Sequence, residues 1–322
     1  MLSSALISTH DGVVGYWDGS PLRNPAPLGK NDADISYLGN DVRGDLLDSL
    51  LTPDYVITGS DGSATMKARG ADVVTLNRPS AAVFRQQLAT VRAYSDLRDD
   101  RLSEILEQTE DLLSFFGAVG YLDTERHGKT LELLAAVIRL AVHVEMPFKH
   151  YCRQPRPIDY APQVQPMIQT PDHSSYPSGH ATEVFAAATV MARLMTGLGP
   201  KEALTSNGNT ASIAQMPFKV AHRIASNRSV AGVHFPADSA AGAVIGCVLG
   251  EAVHRGASGN DTAPAKVTVN FTEQSDTEPP FDLTLGWLSG QLADDAPLGT
   301  PVTDVVGTYW AKAREEWADV PL

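Results

Sequence analysis

Residues 178–195 read SGHATEVFAAATVMARLM. Beyond His180 almost every position is small or apolar, over a length no ordinary strand reaches. The run therefore predicts a buried helix, with Ser178 as a preferred N-cap. Such a helix needs helical neighbours, and the flanking sequence offers them. Pro79 and Ser80 open a helical pattern carried by Val83, Leu88, Val91 and Leu97. Residues 102–119 give another, and residues 129–147 a strongly apolar one that Pro147 is expected to end or kink. Residues 211–226, 236–254 and 305–319 complete the set, the last marked by Trp310 and Trp317 seven apart. Strand signals are few: residues 73–76 and 266–271. The expected class is all-α, a single helical domain. In it residues 1–78 form an irregular wrap with one short helix near 42–51. Residues 79–254 form the helical core, and residues 255–322 a polar loop excursion (255–300) followed by the last helix.

Composition bounds the function. Twenty-five Lys and Arg stand against 38 Asp and Glu, a net charge of −13, which argues against a nucleic-acid partner because phosphate neutralisation needs a basic surface. Ser239 to Gly250 is the longest uncharged apolar run, short of the ~20 residues a spanning helix needs. The opening MLSSALISTHDGVV lacks a basic start and a long apolar core. The expectation is a soluble, cytoplasmic protein without a membrane partner. Cys152 and Cys247 have neither zinc spacing nor the number for a disulfide framework and read as buried free thiols.

Three clusters carry chemistry. In FKHYCRQPRPI (148–158), Lys149 offers an ammonium and Arg156, followed by Pro157, a planar fork for two oxygens. Both are expected just past the end of an apolar helix. In SSYPSGHATEVFAAA (174–188), Ser178 and Gly179 precede the central helix, whose free N–H groups and positive end suit an anion. His180 in its first turn can exchange a proton near neutrality. In ASNRSVAGVHFPADSAAG (225–242), Arg228 is followed by His234 and then by Asp238 in the first turn of a helix opened by Pro236. A carboxylate there can orient one imidazole nitrogen and leave the other free to attack phosphorus or bind a metal. Together the clusters describe a site for a tetrahedral or trigonal oxyanion.

Lys149-x6-Arg156-Pro157, Pro177-Ser178-Gly179-His180 and Arg228-x5-His234-x3-Asp238 resemble the signature of the PAP2 superfamily: type 2 phosphatidic acid phosphatases, class A acid phosphatases and vanadium-dependent haloperoxidases. The resemblance covers residues 149–238. One departure is Asn227, standing where the family has Ser before its Arg, with Ser226 one earlier. The resemblance implies that Lys149, Arg156, Ser178, Gly179 and Arg228 hold the oxyanion. Asp238 orients His234, and His180 is the general acid–base. His234 is either a phosphorylated nucleophile or the vanadium ligand. Of these the haloperoxidase-like soluble branch is the expected one, for three reasons: no spanning run, a long segment before the first motif, and His173, which bromoperoxidases carry at the similar position and which would tune peroxide or halide. That branch implies vanadate as cofactor, with phosphate able to take its place. Hydrogen peroxide, bromide or iodide and a small organic acceptor would be its partners, and Lys149 would polarise peroxide. Met146, where chloroperoxidases carry Trp, points away from chloride. A soluble phosphatase working through a phosphohistidine at His234 is the alternative, and a homodimer the expected state. Glu183 reads as a solvated helix residue, His143 and His150 as bystanders, and Met191 and Met195 as packing.

Overall fold

The structure is a computed structural model and describes residues 17–260, 264–275, 278 and 280–318. The opening segment read for a leader, and the end of the last predicted helix, lie outside them. In chain order the elements are α1 (Asn40–Leu51), β1 (Tyr55–Ser60), β2 (Ser63–Ala68), β3 (Ala71–Asn77), α2 (Ala81–Tyr94), α3 (Arg98–Glu107), α4 (Leu113–Gly120) and α5 (Gly128–Cys152). There follow α6 (Pro157–Tyr160), α7 (Gly179–Thr196), α8 (Pro200–Thr205), α9 (Asn209–Val230), α10 (Pro236–Ala257), β4 (Val267–Val269), α11 (Leu285–Gln291) and α12 (Val305–Glu315).

The central helix forms as expected. The Ser178 hydroxyl accepts from the Ala181 N–H at its start, and all of α7 is buried except His180, Glu183 and Thr196. Helices α5, α9 and α10 surround it. Helix α10 lies closest, because Gly242, Gly246 and Gly250 recur every fourth residue on the face it turns to α7. A Cβ at Gly246 would lie 2.5 Å from the Thr182 carbonyl oxygen, and one at Gly242 2.5 Å from that of Ser178. By length and composition α10 could cross a membrane, which the count of Ser239–Gly250 missed; its most apolar window is wholly buried inside the protein.

The all-α expectation is corrected: the protein is helix-rich but mixed, 57% helix with 7% strand. A four-stranded sheet, order β1-β2-β3-β4, pairs its first three strands antiparallel and adds β4 parallel to β3. The candidates at 73–76 and 266–271 are β3 and β4, whereas β1 and β2 fall in the stretch expected to be irregular. Their two-residue turns, Asp61-Gly62 and Arg69-Gly70, have positive φ throughout, the geometry that suits the twist of a hairpin. Ala64, Met66, Val74 and Leu76 put one face of this meander into the main core. Inside the expected loop excursion, β4 and α11 are ordered, with Phe271 stacked on Trp287.

Two helix corrections bear on the site. Pro147 does not end α5, which runs five residues further to Cys152. The carbonyl Pro147 leaves without a donor is that of His143, an exposed residue where water can serve. Residues 102–119 are two helices, α3 and α4, broken around Gln108–Leu112.

Candidate active site

Four chain segments meet at the N-terminal end of α7. Because α5 continues past Pro147, Lys149 sits in its last turn, facing inward and almost fully buried. Its ammonium donates to the carbonyl oxygens of Pro177 (2.5 Å) and Ser174 (3.3 Å), in the loop that leads into α7. Arg156 precedes α6, fixed by the Asp159 carboxylate, which accepts from its backbone N–H at 2.8 Å. Its guanidinium donates to the Val233 carbonyl (2.8 Å) and the His173 carbonyl (3.1 Å), and lies 3.3 Å from His173 Nδ1. His173 is thereby tied to Arg156 at the edge of the site.

Helix α9 runs to Val230, so Arg228 is in its last turn and buried. One nitrogen donates to the Gln108 side-chain oxygen at 2.8 Å and to the Ile105 carbonyl at 3.3 Å. Its Nε and other terminal nitrogen are buried with no partner among the described residues, an arrangement that leaves donors for an anion. Asn227 satisfies its side chain on Glu104, Gln108 and Arg101.

The chain turns after α9 and enters α10 at Pro236, with Asp238 in the first turn. The Asp238 carboxylate accepts from the Phe235 N–H (2.8 Å) and lies 3.2 Å from His234 Nδ1. That contact orients the ring and leaves Nε2 free. Burial pushes Asp238 up to about 7 against the Phe235 hydrogen bond, Lys149 and Arg156. His234 is pushed well below the usual histidine range by burial, then by Arg156, Lys149, His180 and Arg228. Asp238 also ties the site to α7, its carbonyl accepting from the Ser178 N–H at 2.9 Å.

His180 Nε2 lies 3.0 Å from the Gln108 carbonyl oxygen. An oxygen only accepts, so Nε2 carries the proton and Nδ1 is the nitrogen left to exchange one. Burial and Arg228 push this ring down to about 3. Arg228 is lowered to about 10, and Lys149 and Arg156 below their usual values, all by burial.

Sequence reasoning missed two residues. Gln108 links His180, Arg228 and Asn227, yet it lies in the break of a stretch expected to be one helix. Glu145 is buried one turn before Lys149 with a carboxylate oxygen unpartnered among the described residues. It lies so close to Gly179 that a Cβ there would fall 2.3 Å from its Oε1. Its spacing of four from Lys149, on the buried face of an apolar helix, was a visible signal. Burial raises Glu145 above the ordinary carboxylate range, Lys149 opposing and Glu183 adding to the shift. Glu183 is half-buried beside His180 rather than solvated, and burial raises it too. His143 and His150 are exposed.

Two cavities border the cluster. One of about 750 Å³ touches Lys149, Arg156 and His173. One of about 320 Å³ touches Gln108, His180 and Glu183.

Decaprenylphosphoryl-5-phosphoribose phosphatases from Mycobacterium tuberculosis strains CDC 1551 / Oshkosh and ATCC 25618 / H37Rv are each 29% identical to this chain over 196 residues. The match covers 61% of this chain and 95% of each relative. The family model of the PAP2 superfamily matches residues 130–260, from the start of α5 to just past α10. Those residues hold all the sequence motifs of the site, and the chain contains a PAP2 superfamily domain there.

Proposed function

We propose that the protein is a phosphatase that hydrolyses phosphomonoesters through a phosphohistidine at His234. The observation that carries the reading is a buried imidazole held at 3.2 Å by Asp238, whose neutral form is favoured by burial and by the charges of Arg156, Lys149 and Arg228. The relatives' names support phosphatase chemistry. Halide oxidation, favoured by the motif details around His173, has no support from the family match or from either relative.

In this reading Arg228, Arg156, Lys149 and the N–H groups at the start of α7 hold the non-bridging oxygens and offset charge in the transition state. The free Nε2 of His234 attacks phosphorus. The bond from phosphorus to the ester oxygen breaks, and that oxygen takes a proton from His180. Asp238 stabilises the phosphorylated ring. Water then attacks phosphorus, gives a proton to His180 and breaks the phosphorus–nitrogen bond, releasing phosphate. Burial favours the neutral form of His180, and a phosphate dianion favours its charged form.

Turnover of 4-nitrophenyl phosphate tests the reading. Hydrolysis should be inhibited by orthovanadate, which shares phosphate's shape. It should fall by about 10⁴-fold or more in His234→Ala and by roughly 10²–10⁴-fold in His180→Ala. Vanadate-dependent bromination with peroxide, in place of hydrolysis, would overturn it.

A further inference from the structure

Catalysis by His180 fixes where the alcohol of the substrate must lie. His180 borders the 320 Å³ cavity and not the larger one. The ester oxygen leaves opposite His234 and must meet the His180 proton. We infer that the cavity between the α3–α4 break and the middle of α5 is the leaving-group subsite, and that it selects a compact alcohol with an apolar face and no second negative charge. This rests on the phosphatase reading above.

The lining supplies the selectivity. Leu112, Leu113, Ala135 and Ile138 are half-buried and line this space. The charged side chains around it are Glu110, Asp111, Glu183 and Arg139. Arg139 is already held by Asp48, at 2.5 and 3.0 Å. The Asp111 carboxylate caps the start of α4 by accepting from the Ser114 N–H at 3.1 Å. The walls thus present acids and one neutralised guanidinium, surroundings that repel a second phosphate. The volume is at the small end of ligand sites, which run from roughly 300 to 1,000 Å³. The larger cavity is different in character: its lining sets Lys149, Arg153 and Arg156 against Asp159 and Asp172, a positive excess where the small cavity has a negative one. It borders groups that hold the non-bridging oxygens, not the departing one.

Substitutions that fill or widen the small cavity, in the full chain, test the assignment. Wild type should hydrolyse 1-naphthyl phosphate with kcat/KM about 100-fold above fructose 1,6-bisphosphate. Ala135→Phe should lower kcat/KM for 1-naphthyl phosphate about tenfold more than for ethyl phosphate. Inhibition by inorganic phosphate, which has no leaving group, should stay within about twofold and report an intact site. Ile138→Ala widens the same space and should shift preference toward the naphthyl ester, which keeps the test open if the Phe variant does not fold. Met146→Phe fills the larger cavity and should leave the ratio of the two esters unchanged. The inference is overturned if Ala135→Phe slows both esters equally, if Met146→Phe produces the discrimination instead, or if the bisphosphate is preferred. No hydrolysis of any monoester by wild type would overturn the phosphatase reading along with it.

Discussion

Glu145 shows how far a single buried carboxyl can be from its behaviour in water. It packs on Gly179, one turn from Lys149, and burial disfavours its ionised form. The folded protein holds this proton more tightly than the unfolded chain does. The sign follows by linkage: above the ordinary glutamate range the unfolded state releases the proton first, so stability falls as pH rises through neutrality. Glu145→Gln removes that contribution. The variant's thermal midpoint should therefore rise relative to wild type between pH 5 and pH 8, by an amount equivalent to a few kcal/mol, since one pKa unit is worth about 1.4 kcal/mol. Parallel melting curves across this range would contradict the assignment. The same site separates what sequence could reveal from what it could not. Lys149, Arg156, Ser178, Gly179, His180, Arg228, His234 and Asp238 were readable because each motif ties a residue type to a helix end. Gln108 was not, since its role depends on a break between two helices that lies 119 residues before Asn227.

At the scale of elements, the contact between α7 and α10 sets the site's dimensions. It brings the Ser178 carbonyl against Gly242 and places Asp238 where its carbonyl meets the Ser178 N–H. Gly246→Val puts a branched side chain against backbone atoms of Thr182 and Ala186, 2.5 and 2.8 Å from the new Cβ. The expected cost is ~2 kcal/mol, a fall in Tm of roughly 4–8 °C, with loss of activity at temperatures where the variant is still folded. Gly290→Ala, which meets nothing within 4 Å, should leave Tm unchanged or raise it slightly. The helices of this packed layer were legible from their length and apolar content. The β1–β2 hairpin was not read, although Asp61-Gly62 is a strong hairpin signal. Its strands are short, β1 turns mostly outward, and β2, though it alternates strictly, puts only Ala64, Met66 and Ala68 on its inner face, a weak apolar signal.

At the scale of the whole molecule, the C-terminal helix closes on the far end of α5. Trp310 and Trp317 are buried, as their spacing suggested, and the Trp317 indole N–H donates to the Thr130 hydroxyl at 3.0 Å. The Glu316 carboxylate accepts from the N–H groups of Lys129 (2.7 Å) and Thr130 (2.8 Å), capping α5 at its N-terminus. Lys149 lies about 30 Å away along that helix. Glu316→Ala should therefore cost about 1–2 kcal/mol of stability, read as a lower Tm, and leave kcat within about twofold.

In the proposed function His234 takes the phosphoryl group. Rapid acid-free quenching of wild-type protein during turnover, followed by peptide mass spectrometry, measures this directly. Phosphate is expected on the peptide containing His234, released by acid and stable to base, accumulating when His180→Ala slows the second step and absent in His234→Ala. Turnover with no phosphorylated protein in either wild type or His180→Ala, or phosphate carried on another residue, would contradict it.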